Sequence, residues 1–429
     1  MSKDKTRTDR IESTTNYGVN RRAFLSGSAV AGVGALAGCL GTGGDGGGNA
    51  TDGGGTTGGT ASGNGGGSAT TSLTIGYQPF YTEAWSALVI KHAGLAEKYL
   101  PSSVSVDGWE IALQGSIVGQ RMISGDNTIG YTGDMPTITA IANNKRPISA
   151  VGLAGFSRGQ QCNLGVLPAD SDIDSASALG GGDFGVTTGA CTHRFMLRMA
   201  EQEGLDYNIR DQGINSILAG IRQNNLTIGF GWEPVMSRAV QQAEEGEFLL
   251  TGASYDIPDA AGIIMPDSLV QDSPEVAKAW MKAELEAKHI MRSDHERTVD
   301  LVAQEQELSD YNRQVLQDVM YTNLDLNPDV DRLEFVTDYG AVESAGTLLR
   351  ENGPQYLMSQ GFIEEIPGDS RYKLGPLDGA AEELSAEVDW TPADGREGNA
   401  SNEGGTDSTG GTNTTDNTTS GSNMTTNSG

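Results

Sequence analysis

Three short stretches of small and polar residues carry the chemistry this chain could do. Gly130-Tyr131-Thr132-Gly133-Asp134-Met135-Pro136 follows the strand-like Asn127-Thr128-Ile129 and precedes a helix-like run over 137–142. Pro136 suits the first turn of a helix, where a missing N–H is no loss. Gly133 lets a ligand approach the backbone, and Thr132 and Asp134 can cap the helix start. A strand ending in a small polar loop and then a helix N-terminus can hold an anion or polar ligand on backbone amides. Gln114-Gly115-Ser116 opens a second such helix over 117–124, and Thr187-Thr188-Gly189-Ala190-Cys191-Thr192 a third over 193–204. One loop of this kind is an ordinary strand-to-helix turn. Three in one chain suggest a shared site rich in N–H donors.

Other reactive groups lie beside these loops. Cys191 and His193 sit at a helix start, where a thiolate is stabilised. Residues two apart on a helix do not face each other, and no third group to orient them is evident. That favours capture over catalysis. Arg158 and Arg194 could make bidentate contacts to a carboxylate or sulfonate, or balance nearby acids as surface arginines. Trp232, followed by Glu233-Pro234 at a strand end, could stack on the apolar part of a ligand or fill core.

Positioning these loops takes alternating strands and helices. Strands are expected at 73–77, 104–106 with 110–112, 148–153, 163–167, 183–186, 226–230 and 261–265. An amphipathic helix over 83–98 carries Trp85, Leu88, Val89 and Leu95 on one face. A short helix near Ser177 and another over 217–224 fit the same alternation. The class is α/β with a mainly parallel sheet. From Ser273 the pattern changes to long helices, at about 274–292, 295–305, 308–321 and 339–351, the first with Ser273 as N-cap and Pro274 at its first position.

The ends are different. Arg21-Arg22 precede the weakly apolar 26–38, which is too short and Gly-rich for an ordinary membrane span. This resembles a twin-arginine export signal, and Leu36-Ala37-Gly38-Cys39 resembles a lipoprotein box in which Cys39 is lipidated. Residues 39–71 form a Gly/Thr tether. Past 388 the composition returns to Gly, Thr, Asn and Ser, with Asn-x-Ser/Thr triplets at Asn399, Asn413, Asn417 and Asn423, as at Asn49. The 429 residues carry 57 acidic and 28 basic side chains, a net charge of −29. That argues against nucleic acid as a partner and suits a protein kept soluble in high salt, as in a halophile. The three cysteines, Cys39, Cys162 and Cys191, offer no zinc spacing, and neither metal nor cofactor is expected.

The order of 73–77, Trp109-Glu110, the 131–136 loop, the 185–194 loop and Trp232-Glu233-Pro234 resembles the solute-binding proteins of ABC importers for nitrate, taurine and alkanesulfonates. The likeness covers about 72–365, and Thr-Gly-Asp-x-Pro is its most specific motif. It implies a type II periplasmic-binding fold with ligand in an interlobe cleft. The first lobe would hold 72–155 and, on its return, 259–388 with the C-terminal helices; the second would hold 156–258. Residues 1–38 would be the signal peptide and 389–429 a tail. It points to Gln78, Gly115, Ser116, Thr132, Gly133, Asp134, Met135, Thr188, Gly189, Ala190, Cys191, Thr192, Trp232 and Glu233 as cleft residues. Arg158 and His193 join them as candidates. The family usually has a small hydroxyl residue where Cys191 stands, and Arg158, Cys162 and His193-Arg194 also depart from its pattern. The implied partners are a small anionic solute, permease subunits and, through Cys39, the outer face of the membrane, with the chain itself a monomer. A pyrimidine related to thiamine, or a Cys/His enzyme on this fold, are the alternatives; an adhesion protein would need none of these loops. Cys162 and Cys191 would both lie at the cleft edge, either bonded to each other or as two separate thiols.

Overall fold

The computed structural model describes residues 71–393 and 396. The leader, Cys39, the tether before residue 71 and the Asn-x-Ser/Thr triplets at Asn49, Asn399, Asn413, Asn417 and Asn423 lie outside the described residues. Among those residues the strands are β1 Thr71–Tyr77, β2 Val104–Ile111, β3 Ile129–Gly133, β4 Ile148–Ser157, β5 Leu164–Pro168, β6 Asp183–Val186, β7 Asn208–Asp211, β8 Ile228–Gly231, β9 Gly246–Thr251 and β10 Asp259–Pro266. They form one five-stranded sheet in the order β2-β1-β3-β10-β4 and another in the order β7-β6-β8-β5-β9. β1 pairs in parallel with β2 and β3, and β6 with β7 and β8. β10 is antiparallel between β3 and β4, and β5 between β8 and β9. The sheets are therefore mixed, each by one reversed strand, not mainly parallel ladders.

The reversals follow from the connections. Residues 158–163 carry the chain from β4 out to β5, and 252–258 return it from β9 to β10. A strand arriving from the other sheet inserts against the local direction. β4 and β10 are buried over their whole length, and strands covered on both faces read as continuous apolar sequence. β7 is exposed throughout, and its Asn-Ile-Arg-Asp sequence carries no strand signal.

Helices cover both sheets. Pro274–Ser293 buries Trp280, Met281 and Leu285 against the first sheet's helices, with Pro274 in its first turn; Ser273 makes no side-chain cap there. The expected helix 83–98 is split at Gly94, which is left-handed, into Ser86–Ala93 and Leu95–Tyr99. The expected helix at 339–351 begins at Glu343 and passes through a π turn, Leu348–Asn352, into Gly353–Ser359. The packed chain also runs past 388. Trp390 stacks on His289 at 4.5 Å, and Arg396 bridges Asp338 and Asp378 at 2.8 Å each.

Candidate functional site

A cavity of about 210 Å³ lies between the two sheets. Each wall is a loop leaving the end of a strand. β1 hands over to Gln78, β3 ends in Gly133, β6 runs into 187–190, and β8 delivers Trp232. Strand ends in α/β sheets are where ligands commonly sit, because the following helix starts point there. The floor consists of buried residues: Gln78, Tyr81, Gly133, Cys162, Cys191 and Trp232. Ser116 and Gln120 are exposed at the rim, and Phe362 is half-buried there.

Two helix starts from opposite lobes border this space. Gly115–Ser124 follows the extended Gln114, and Cys191–Glu203 follows the extended Ala190; neither has a side-chain cap. The first amides of a helix have no intrahelical acceptor, so they and the positive dipole end are available to an anion. Gln78 Nε2, Thr132 Oγ1 and Thr192 Oγ1 are buried without a hydrogen-bond partner. Buried polar atoms are normally satisfied, and Gln78 lines the cavity directly. Thr132 Oγ1 lies so close to Gly115 that a Cβ there has no room.

The 130–136 loop is built differently. Asp134 accepts the Met135 N–H at 2.7 Å, so its own carboxylate occupies that helix start. Gly133 and Pro136 line the wall, while Asp134 is fully buried and Met135 is core. Arg194 from the second lobe lies 3.4 Å from Asp134 and donates to the Pro258 carbonyl. Arg158 donates to Glu334 at 2.8 Å. Among the described residues no Lys or Arg lines the cavity. The two arginines considered for bidentate ligand contacts are thus committed to carboxylates.

Of the remaining candidates, Gly115, Ser116, Thr188, Gly189, Ala190, Cys191 and Trp232 line the cavity. Thr132, Thr192, His193 and Glu233 stand behind it. Glu233 is fully buried against Arg332 and accepts both the N–H and O–H of Ser237. His193 Nδ1 lies 2.7 Å from Tyr356 Oη, and the Gly189 N–H approaches the same nitrogen at 3.3 Å. Burial holds this imidazole down to about 4, so it is neutral at neutral pH. Cys162 and Cys191 form a disulfide with Cα atoms 6.1 Å apart, within the reach such a bond requires. This bond, not a pair of separate thiols, forms one edge of the floor. Tyr81 and Phe362 also line the cavity and had no signal in the sequence; both arrive there by tertiary packing.

Beneath the floor, Glu83, Asp134 and Asp259 are buried together with Tyr81 and Arg194. Burial pushes Asp259 up to about 7 and Asp134 up to about 6; Glu83, facing Asp259, rises as well. Unfolded, these carboxyls titrate near about 4. The native state therefore keeps protons the unfolded chain releases. That stabilisation is complete below the unfolded value and is lost as pH rises through about 6 to about 7. His193 acts in the opposite sense, losing its contribution as pH falls through about 4. Urea midpoints should drop between about pH 4 and about 7, and Asp259→Asn should flatten the slope. A wild-type midpoint that rises over that window would contradict this.

No family model matches the chain, and neither does any curated protein. Solved structures do. The alkanesulfonate-binding protein SsuA from Xanthomonas axonopodis pv. citri, bound to MOPS, aligns with a TM-score of 0.57 at 15% identity, over 70% of this chain and 98% of that one. The chain has the type II periplasmic-binding-protein fold. The periplasmic nitrate-binding protein NrtA from Synechocystis PCC 6803 aligns with a TM-score of 0.58 at 14% identity, covering 75% and 92%. The desulfurization enzyme DszB aligns with a TM-score of 0.53 at 13% identity, covering 73% and 99%. This fold thus serves binders and an enzyme, and function has to be argued from the site.

Proposed function

We propose that this chain is the solute-capturing component of an ABC importer, exported and held at the outer membrane face through lipid on Cys39. Its ligand is a small organic anion, of which a sulfonate is the best case. The observation that carries this is the cavity bordered by two uncapped helix starts from opposite lobes, with the unpartnered Gln78 Nε2 on its floor. An anionic head bridging those amides would draw the lobes together, a hinge closure about 158–163 and 252–258. Trp232, Pro136, Ile123, Ala140 and Phe362 add apolar wall beside the polar Gln114, Gln120, Thr139 and Thr187. Nitrate would leave most of 210 Å³ unfilled, whereas an alkyl or aryl group would cover that surface.

Capture is favoured over catalysis by the sulfur chemistry. A thiolate nucleophile must be free, and Cys191 is bonded to Cys162 while His193 faces Tyr356. Titration calorimetry with 1-hexanesulfonate, taurine and nitrate tests the reading. The alkyl sulfonate should bind at least about tenfold more tightly than nitrate. On a chain of net charge −29, affinity should improve as salt is raised, because screening removes the global repulsion. Turnover of the sulfonate, or binding of nitrate alone, would overturn it.

A further inference from the structure

The C-terminal segment reaches across the cavity mouth. Gly353–Ser359 packs on the first-lobe helix Asp134–Ala142, with Gly353 against Ile138 and Met135. From there Tyr356 reaches His193 of the second lobe at 2.7 Å. After a left-handed turn at Gly361, Phe362 lies against Gly189, where a Cβ would meet its ring at 3.4 Å. Gly189 has φ +82°, so a side chain there would be strained as well as crowded. Tyr356 Oη, at 2.7 Å, and the Gly189 N–H, at 3.3 Å, both approach His193 Nδ1, so the segment and the cavity loop meet at one ring nitrogen.

The geometry points to 353–363 as a strap that closes the cleft, with Phe362 the residue that controls passage into the cavity and Tyr356–His193 the pin that holds it down. At the rim the strap adds a link between the lobes to the two crossings and to the buried Arg194–Asp134 and Trp232–Phe80 contacts. It lies on the rim, while the Cys162–Cys191 disulfide lies on the floor, with the two cysteines 0% and 4% exposed. A reagent that reaches the disulfide has to pass the rim or wait for local opening. In ligand capture, which rests on the function proposed above, the strap would retain the bound solute and limit its bulk.

The disulfide itself reports whether the strap works, without any knowledge of the ligand. Oxidised, full-length protein is treated with dithiothreitol in native buffer, and the released thiols are alkylated and counted by mass spectrometry. Phe362→Ala should accelerate reduction by at least about fivefold, beyond what any shift of its thermal midpoint accounts for, since the local opening changes most. Phe362→Trp should slow it. Tyr356→Phe, which keeps the ring in the core and removes only the pin, should accelerate it to a smaller extent. Reduction of the alanine variant at the wild-type rate, or of all three variants equally fast, would overturn the proposal. Dissociation of 1-hexanesulfonate should speed up in Phe362→Ala. If that probe does not bind the wild type, the sulfonate reading fails while the reduction rates still decide the strap.

Discussion

Replacing Arg332 with Leu is expected to lower stability by about 3–5 kcal/mol, the range found when one member of a buried ion pair is removed. The Arg332 side chain is 1% exposed and that of Glu233 0%. Burial pushes the Glu233 carboxyl up, and Arg332 is the first group opposing that shift. Without the guanidinium, the carboxylate must take a proton or remain charged in a dry site. Two hydrogen bonds from Ser237, at 2.9 and 2.8 Å, would be left to satisfy it. The loss should reach the cavity too. Backbone bonds tie Glu233 to Gln161 at 2.9 Å and to Thr82 at 3.1 Å. The neighbouring Trp232 donates Nε1–H to the Phe80 carbonyl at 2.9 Å and faces the ligand space. Pairing Arg332→Leu with Glu233→Gln should recover part of the loss, because an amide does not carry the uncompensated charge. Urea unfolding of the two single variants and the double variant measures this. A cost below about 1 kcal/mol for Arg332→Leu would place the pair in a wetter site than its burial indicates.

The fold was legible where local pattern and tertiary role coincide. β4 and β10 carry continuous apolar runs and are buried throughout, so their sequence shows them. Both crossings are polar interruptions between such runs. β9 was missed because Glu-Phe-Leu-Leu-Thr reads equally well as the tail of the preceding helix, and β7 because an exposed edge strand needs no apolar pattern. The loops 114–116 and 187–192 stood out in the sequence as small residues at helix starts, and residues 114–116 and 187–191 line the cavity. The arginines were not, because their partners are remote in sequence. Arg158 meets Glu334 across 176 positions and Arg194 meets Asp134 across 60. A charge's role depends on such a partner, and residue type does not reveal it. Asp134 shows the same limit at short range: the residue that marks a helix start also fills it. Phe362 lay beyond sequence reading altogether, since its place on the rim depends on how Gly353–Ser359 packs on the first lobe.

The disulfide should carry the other large effect. Cys162 and Cys191 close a loop of 29 positions, and constraining a loop of that size in the unfolded chain stabilises the native state by about 3–4 kcal/mol on the chain-entropy model. The double variant Cys162→Ser, Cys191→Ser should unfold at lower urea by a corresponding margin, and reduced wild type should match it. Its effect on binding follows from position. Cys191 is the first residue of its helix, and its partner lies in the crossing between the lobes. The bond therefore anchors the amide donors of the second lobe to the hinge. The remaining local holds on this loop are Thr187 Oγ1 on the Gln212 carbonyl at 2.9 Å, Thr188 N–H on Asp211 at 3.0 Å and Gly189 N–H on His193 at 3.3 Å. Two of these involve the rim, where water competes. With the bond broken, the ordering of the loop is deferred until ligand arrives, and affinity falls by that ordering free energy. Hydrogen exchange separates this local effect from the global one: amides in β4 and β10 should speed up only by the global loss, whereas amides at 188–192 should speed up by a larger factor. Uniform acceleration across the molecule would reduce the disulfide to a general staple, and an unchanged urea midpoint would remove even that role.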